Sequence, residues 1–441
     1  MASREKFVLT FSLVLSLCTA YYFFGLLLPV SHAGMEARNL AGGYGYGNDF
    51  YQIWATTKEL LAQHADPYGP EMQRQIEIGL YGRTLDRNDR RDASVPYRGY
   101  SYPLQANLLT QPLGYLSFHG VQWTLSFLLP VCVVASVVFW CSAYGQKLAP
   151  WPMLALCVVV FATFPVLEGI YALQPTLVVA AIVAGSMLLL RRNRMGWAGV
   201  LLAMGAIKPH LIALLALWFL LWTTGDWSRR KAFLIAFISS SAALLLFTQF
   251  WFPEWWLGWW RSLPAYRQIN TPPLAQFVFG RIAGGVFGVV CLAIGAVGAC
   301  RWRRAEADSS EFLLLSAYIL GTSVVVGSSS VAVYDQFLLL PGLLWLWSER
   351  YRLLRAERLV RVIAVLMLAT FFWPWAASVV LTILSFSLTW ARSYRAVLLP
   401  LATAATFPIA ALALLAIFVW RTLPTPAAAR TVSRQRAEET T

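Results

Sequence analysis

Some twelve long apolar segments, mostly separated by short basic clusters, decide what this chain can become. They fall at Phe7–Val30, Val121–Tyr144, Pro152–Leu167, Pro175–Leu190, Gly196–Ile207, Leu211–Trp222, Ala232–Phe250, Phe277–Cys300, Phe312–Val326, Phe337–Trp347, Leu359–Trp375 and Val397–Trp420. A helix needs about 20 apolar residues to cross a hydrocarbon core. Of the 441 residues, 58% are hydrophobic and 13% charged, against roughly 25% charged in a soluble domain. One soluble core cannot bury that much apolar surface, so lipid must solvate part of it. In lipid every backbone N–H and C=O must pair internally. The expectation is an all-α polytopic membrane protein of about 12 transmembrane helices.

The net charge of +14 is not one patch. Basic residues cluster at Arg4/Lys6, Lys147, Arg191–Arg194, Arg229–Lys231, Arg301–Arg304, Arg350–Arg361 and from Arg421 onward. Basic loops stay cytoplasmic. Placing all these groups inside gives alternating segments, cytoplasmic N- and C-termini, and an inner-membrane location. No soluble domain carries a basic groove, so nucleic acid is excluded as a partner. The six cysteines all lie in apolar runs, which argues against a disulfide framework. No cysteine or histidine spacing points to a metal, and neither metal nor cofactor is expected. The run from Phe7 exceeds the apolar stretch of about 7–15 residues in a signal peptide, so a retained first helix is expected.

Residues 1–420 read as a single transmembrane catalytic domain and 421–441 as a disordered cytoplasmic tail. Two external segments interrupt the spans. The loop Ser31–Ser101 balances acids and bases. It predicts helices at Tyr51–Leu61 and Glu71–Leu80, a turn at Asp66–Gly69, and a charged, mobile stretch from Arg83 to Arg98. Trp251–Gln276 carries Trp255, Trp256, Trp259 and Trp260, which suit a helix lying at headgroup depth. Pro103–Phe118 and Ser378–Trp390 read as re-entrant or interfacial.

Ionisable groups near a membrane centre cost about 2.5–3.5 kcal/mol on insertion scales, so the few present are informative. In the proposed topology Asp49, Glu168, Lys208, His210, Arg281 and Asp335 share one depth, at the outer helix ends. Each has a structural alternative. Asp49 or Asp335 can cap a helix, Lys208 and Arg281 can reach to headgroups, Glu168 can mark a helix boundary, and His210 beside Pro209 can serve a turn. The chain lacks a P-loop, a dinucleotide fingerprint and a nucleophile elbow.

An ordered set of short motifs adds a resemblance. Gly47-Asn48-Asp49-Phe50-Tyr51 follows the first span, and Ala65-Asp66-Pro67-Tyr68 follows the next helix. Tyr100-Ser101-Tyr102-Pro103-Leu104 leads into Gln111-Pro112-Leu113. Then come Leu173-Gln174-Pro175-Thr176-Leu177, Arg191-Arg192, Gly199–Ala203, Ile207-Lys208-Pro209-His210, Tyr334-Asp335-Gln336 and Leu339-Leu340-Pro341. From Phe7 to Leu346 this order resembles glycosyltransferase family 87, membrane enzymes of the GT-C type that include polyprenyl-phosphate-mannose-dependent mannosyltransferases. The resemblance implies a polyprenyl-phosphate sugar donor, a lipid or glycan acceptor, and a base after the first helix, which maps onto Asp49. It places Lys208 and His210, Tyr334 and Asp335, Gln174, and Tyr102 among the substrate-binding residues. Asn48 stands where many other GT-C enzymes have a second acid, which weakens a metal-dependent reading.

The chemistry is self-consistent. A lipid phosphate leaves as a stable anion. The enzyme then needs a base for the acceptor hydroxyl and a cation near the phosphate. Lys208, Arg281, Arg261 and Arg267 are the candidates for that cation. One carboxylate acting as base, not as nucleophile, predicts inversion. The competing readings are a transporter or flippase using the same charges, and a non-catalytic scaffold.

Overall fold

The structure, a computed structural model, describes residues 3–62, 66–86, 88–89, 92, 95, 99–269, 271–387 and 396–422, without the side chains of 3–5 and 265–269. Most of the Arg83–Arg98 stretch after Asp86, the tail beyond Thr422 and the end of Ser378–Trp390 lie outside the described residues. Within them the secondary structure is helical, with one isolated bridge pairing Pro273 and Ser329.

The first span, α1, runs Lys6–Glu36 and includes a π-helical stretch, Tyr21–Leu27. The loop after it folds into α2 (Asn48–Ala62) and α3 (Pro70–Tyr81). There follow α4 (Gln105–Gly114), α5 (Phe118–Ala143), α6 (Pro150–Phe161), α7 (Phe164–Tyr171) and α8 (Thr176–Arg191). Next are α9 (Met195–Ala203), α10 (Pro209–Gly225), α11 (Trp227–Trp251) and α12 (Trp255–Ile269). Then come α13 (Leu274–Phe279), α14 (Arg281–Trp302), α15 (Ser310–Thr322) and α16 (Leu340–Ser348). The chain closes with α17 (Arg350–Arg355), α18 (Arg358–Ser385), α19 (Leu399–Thr403) and α20 (Thr406–Thr422).

Seven helices among the described residues are long and apolar enough to cross a membrane, and an eighth span results if the bent pair α6–α7 counts as one. The fold is thus an all-α polytopic membrane protein. The apolar segments at Pro175–Leu190, Gly196–Ile207 and Leu211–Trp222 form helices of only 10–17 residues, below the roughly 20 that cross alone. Phe337–Trp347 is likewise not one long helix. It divides into a 3-10 stretch, Val333–Leu339, and the nine-residue α16. Ser378 belongs to α18, which continues unbroken to Ser385, because Pro374 leaves the helix intact here and no Gly or charge follows it. Pro103–Phe118 becomes α4, a ten-residue helix containing Pro112. Of the four tryptophans on α12, Trp256 and Trp260 are exposed, whereas Trp255 is buried and the Trp259 indole donates to the Ser101 carbonyl at 3.0 Å.

Two anchorages position the polar residues. The first is α2, whose buried face includes Phe50, Ile53, Trp54, Thr57 and Leu60. The Asn107 amide of α4 donates to the Ile53 carbonyl (3.2 Å) and the Thr57 hydroxyl (2.9 Å), and the Trp54 indole donates to the Leu116 carbonyl (3.0 Å). The second is the π-helical stretch of α1. Tyr22 meets Phe164 edge-on, and Phe23 packs on Phe164 and Tyr171, so α7 is held at its 65° bend from α6.

Two of the basic residues close helix ends. Arg191, in the last turn of α8, donates to the Ser142 carbonyl at the end of α5 (3.3 Å). Arg230 is buried. Its guanidinium donates to the carbonyls of Trp222 (2.8 Å), Arg303 (2.7 Å), Arg304 (3.4 Å) and Ala305 (2.9 Å) and stacks on Trp222. One side chain thereby ties the end of α10 and the start of α11 to the turn after α14.

Candidate active site

Two left-handed residues meet at the site. Gly47 has φ +77 and Leu173 has φ +53. A Cβ on Gly47 would stand 2.6 Å from Cδ1 of Leu173, so glycine is needed for both conformation and space. Leu173 is fully buried, and a buried leucine in this region carries backbone strain of the kind found at functional sites. The Gly47 N–H donates to the Tyr171 carbonyl at 2.8 Å. That join brings the start of α2 against the residues between α7 and α8.

The helix begins at Asn48, not at Tyr51, so Asp49 stands in its first turn. Asp49 is therefore not the cap of that helix; its charge faces the positive end of the helix dipole. The Gln174 amide donates to Oδ2 of Asp49. Asp49 is half-buried.

Beside it lies a second, buried polar group. The Thr176 hydroxyl, at the start of α8, donates to Oδ1 of Asp335 at 2.6 Å. The Lys208 ammonium donates to the Thr176 hydroxyl (2.8 Å) and to Oδ1 of Asp335 (3.2 Å) and sits 4.6 Å from the centre of the Tyr334 ring. Lys208 lies between the 3-10 turn Met204–Ile207 and α10, where Pro209 lacks the N–H that would continue the helix. His210 Nε2 is 3.9 Å from the other oxygen of Asp335 and its side chain is 47% exposed, whereas Lys208 and Asp335 are 5% and 2% exposed. His210 is thus the accessible member of this group.

The structure brings Asp49, Gln174, Lys208, His210, Tyr334 and Asp335 into one neighbourhood. Tyr102 adjoins it, within electrostatic range of Tyr334, and its carbonyl accepts from the Tyr68 hydroxyl (2.9 Å). Arg261 and Arg281 are exposed, and among the described residues no hydrogen bond or ion pair ties either to the cluster. The Arg267 side chain lies outside the described residues.

One member escaped the sequence reading, and another was given a structural alternative there. Thr176 bridges Lys208 and Asp335 and had only its place in the Gln174-Pro175-Thr176 motif to mark it. Glu168, read as a helix boundary, lies on α7 within electrostatic range of Asp49, Asp335 and Lys208. Its Oε2, Oδ1 of Asn48 and Oε1 of Gln174 are buried polar atoms without a hydrogen-bond partner among the described residues. Glu168 follows the 65° bend before α7, and Pro165 in the first turn of α7 is the sequence signal for that break.

A family model for glycosyltransferase family 87 matches residues 100–333, more than half of the chain. The chain belongs to glycosyltransferase family 87. No curated protein and no solved structure matches it. The chain is therefore a membrane glycosyltransferase. The match takes in Tyr102, Glu168, Gln174, Thr176, Lys208 and His210, so the family 87 core contains most of the cluster. Asp49 lies before the matched residues, and Tyr334 and Asp335 lie just after them. The motif resemblance, drawn from Phe7 to Leu346, is wider than the matched region. What this family 87 enzyme assembles around Lys208 is a set of carboxylates, amides and one exposed imidazole. Such a set can remove a proton and hold hydroxyl and phosphate oxygens.

Proposed function

We propose that this enzyme moves a hexose, such as mannose, from a polyprenyl-phosphate donor to a lipid or glycan acceptor at the outer face of the inner membrane, as a GT-C type enzyme. The observation that carries the reading is the Asp49 carboxylate. It is half-buried and oriented by Gln174, and it stands beside the Lys208–Asp335 group. Asp49 takes the proton of the acceptor hydroxyl. The acceptor oxygen bonds to the anomeric carbon as the bond from that carbon to the phosphate oxygen breaks. The electron pair leaves with the polyprenyl phosphate, and the configuration inverts. Asp335, paired with Lys208, is less able to serve as base and acts as a positioning residue.

An ammonium has three N–H donors. Thr176 and Asp335 take two from Lys208, which leaves one for a phosphate oxygen. The His210 imidazole stands on the exposed side as a second phosphate contact, with Arg261, Arg267 and Arg281 as further candidates. Buried acceptors on Asn48, Glu168 and Gln174 suit the hydroxyls of a sugar. The outward placement of the site is supported by the basic clusters between the apolar segments, which stay cytoplasmic.

The test is incubation of the purified protein in detergent with a radiolabelled polyprenyl-phosphate sugar and candidate acceptors. Label appearing in an acceptor supports the proposal. Uptake of the donor into proteoliposomes with no transfer would replace it with a transporter, a reading the family match disfavours.

A further inference from the structure

Away from the catalytic cluster, two adjoining cavities run along α9. One, of about 530 Å³, opens at the basic end of the bundle and is lined by Asn193, Arg194, Gly196 and Arg229. The other, of about 410 Å³, is lined by Leu189, Leu201 and Met204. Trp197 and Val200 line both, so the two form one groove. Its mouth is cationic and its far end apolar. Met195 and Met204 are nine helical positions apart, about 14 Å at 1.5 Å per residue. One leaflet of a hydrocarbon core about 30 Å thick has nearly that depth. Trp197 is 69% exposed beside the mouth, where an indole suits the headgroup boundary.

From this charge and length complementarity we propose that the groove binds one anionic phospholipid. The phosphate lies between Arg194 and Arg229, and one acyl chain lies along Trp197, Val200 and Leu201 towards Met204. Arg229 also faces Asp226 at 3.7 Å and Glu306 at 3.8 Å, so Arg194 contributes the larger share of attraction. Met204 opens the 3-10 turn that ends immediately before Lys208. The chain therefore supports the segment that carries Lys208 into the catalytic cluster, from the opposite leaflet.

The experiment is native mass spectrometry of the full-length protein in detergent, titrated separately with phosphatidylglycerol and phosphatidylcholine. Phosphatidylglycerol should be retained in preference, and Arg194→Gln/Arg229→Gln should reduce its retention by at least about fivefold, the worth of one arginine at a membrane surface. Both arginines are exposed, so the fold tolerates the change. A second variant separates a groove from mere surface charge. A Cβ on Gly196 meets nothing within 4 Å, so Gly196→Phe starts an aromatic side chain at the mouth from an open position and keeps both arginines. It should lower phosphatidylglycerol retention comparably. Equal retention of the two lipids by the unaltered protein would overturn the proposal. So would retention unchanged in either variant.

Discussion

The ammonium of Lys208 lies 3.2 Å from Oδ1 of Asp335, across 127 positions of sequence, with both side chains almost wholly buried. Removing one partner of such a pair leaves an uncompensated buried charge, which costs about 3–5 kcal/mol. Lys208→Met and Asp335→Leu should each lower the melting temperature sharply. The double variant Lys208→Met/Asp335→Leu should lower it by less than the sum of the two. Additive losses in a thermal-shift double-mutant cycle would show that the residues act independently.

Asp49→Asn nearly keeps the shape of the side chain and removes the basic carboxylate. Asp49 stands inside the first turn of α2, not at its cap, so its placement at the helix dipole contributes about 0.3–1 kcal/mol, and an asparagine oxygen can still accept from Gln174. Turnover should fall by about 10²–10⁴-fold while the melting temperature and donor binding change little. Near-normal turnover would remove Asp49 from the mechanism and bring Glu168, the half-buried carboxylate beside it, forward for the same assay.

Gly47→Ala should reduce turnover and stability together. The added methyl meets Leu173 at 2.6 Å, and the left-handed backbone at φ +77 costs a non-glycine residue about 1 kcal/mol. The join from Gly47 to Tyr171 would shift, carrying Asp49 away from Gln174. Activity and melting temperature unchanged from the unaltered protein would mean that this turn does not set the position of Asp49.

Arg230→Lys should not rescue Arg230→Ala. The guanidinium serves four carbonyls on two chain segments, which the three donors of an ammonium cannot match. Each buried acceptor left unpaired costs about 1–3 kcal/mol. Both variants should give less monodisperse protein on fluorescence size-exclusion chromatography. A lysine variant as stable as the unaltered protein would indicate that charge alone suffices there.

Orientation is open to direct measurement. In a cysteine-free background, Arg74→Cys on α3 should react with an impermeant thiol reagent in intact cells, and Arg192→Cys should not. Arg87, in the same loop as Arg74, lies outside the described residues. The background matters because Cys300 is exposed near the basic end. The opposite labelling pattern would put the catalytic cluster on the inner face.

By itself the sequence determined the fold class, because apolar run length is a local property and lipid admits little but helices for such runs. It also determined that Asp49, Lys208, His210 and Asp335 stand out, since a charge beside an apolar run is costly wherever the run folds. The motif order marked Gln174 and Tyr334 in the same way. Tertiary structure decided what these residues do to one another. The pairing of Lys208 with Asp335 depends on two helix breaks in different parts of the chain meeting, and no local pattern encodes that meeting. Glu168 stood out with them, but its place beside Asp49 and Asp335 follows from the bend before α7, where Pro165 opens the new helix and Tyr22 and Phe23 pack on Phe164. The apolar segments behind α8 to α10 fold as helices of 10–17 residues. Where each helix ends depends on which neighbours cover its terminal turn, a property of the packed bundle and not of any one segment.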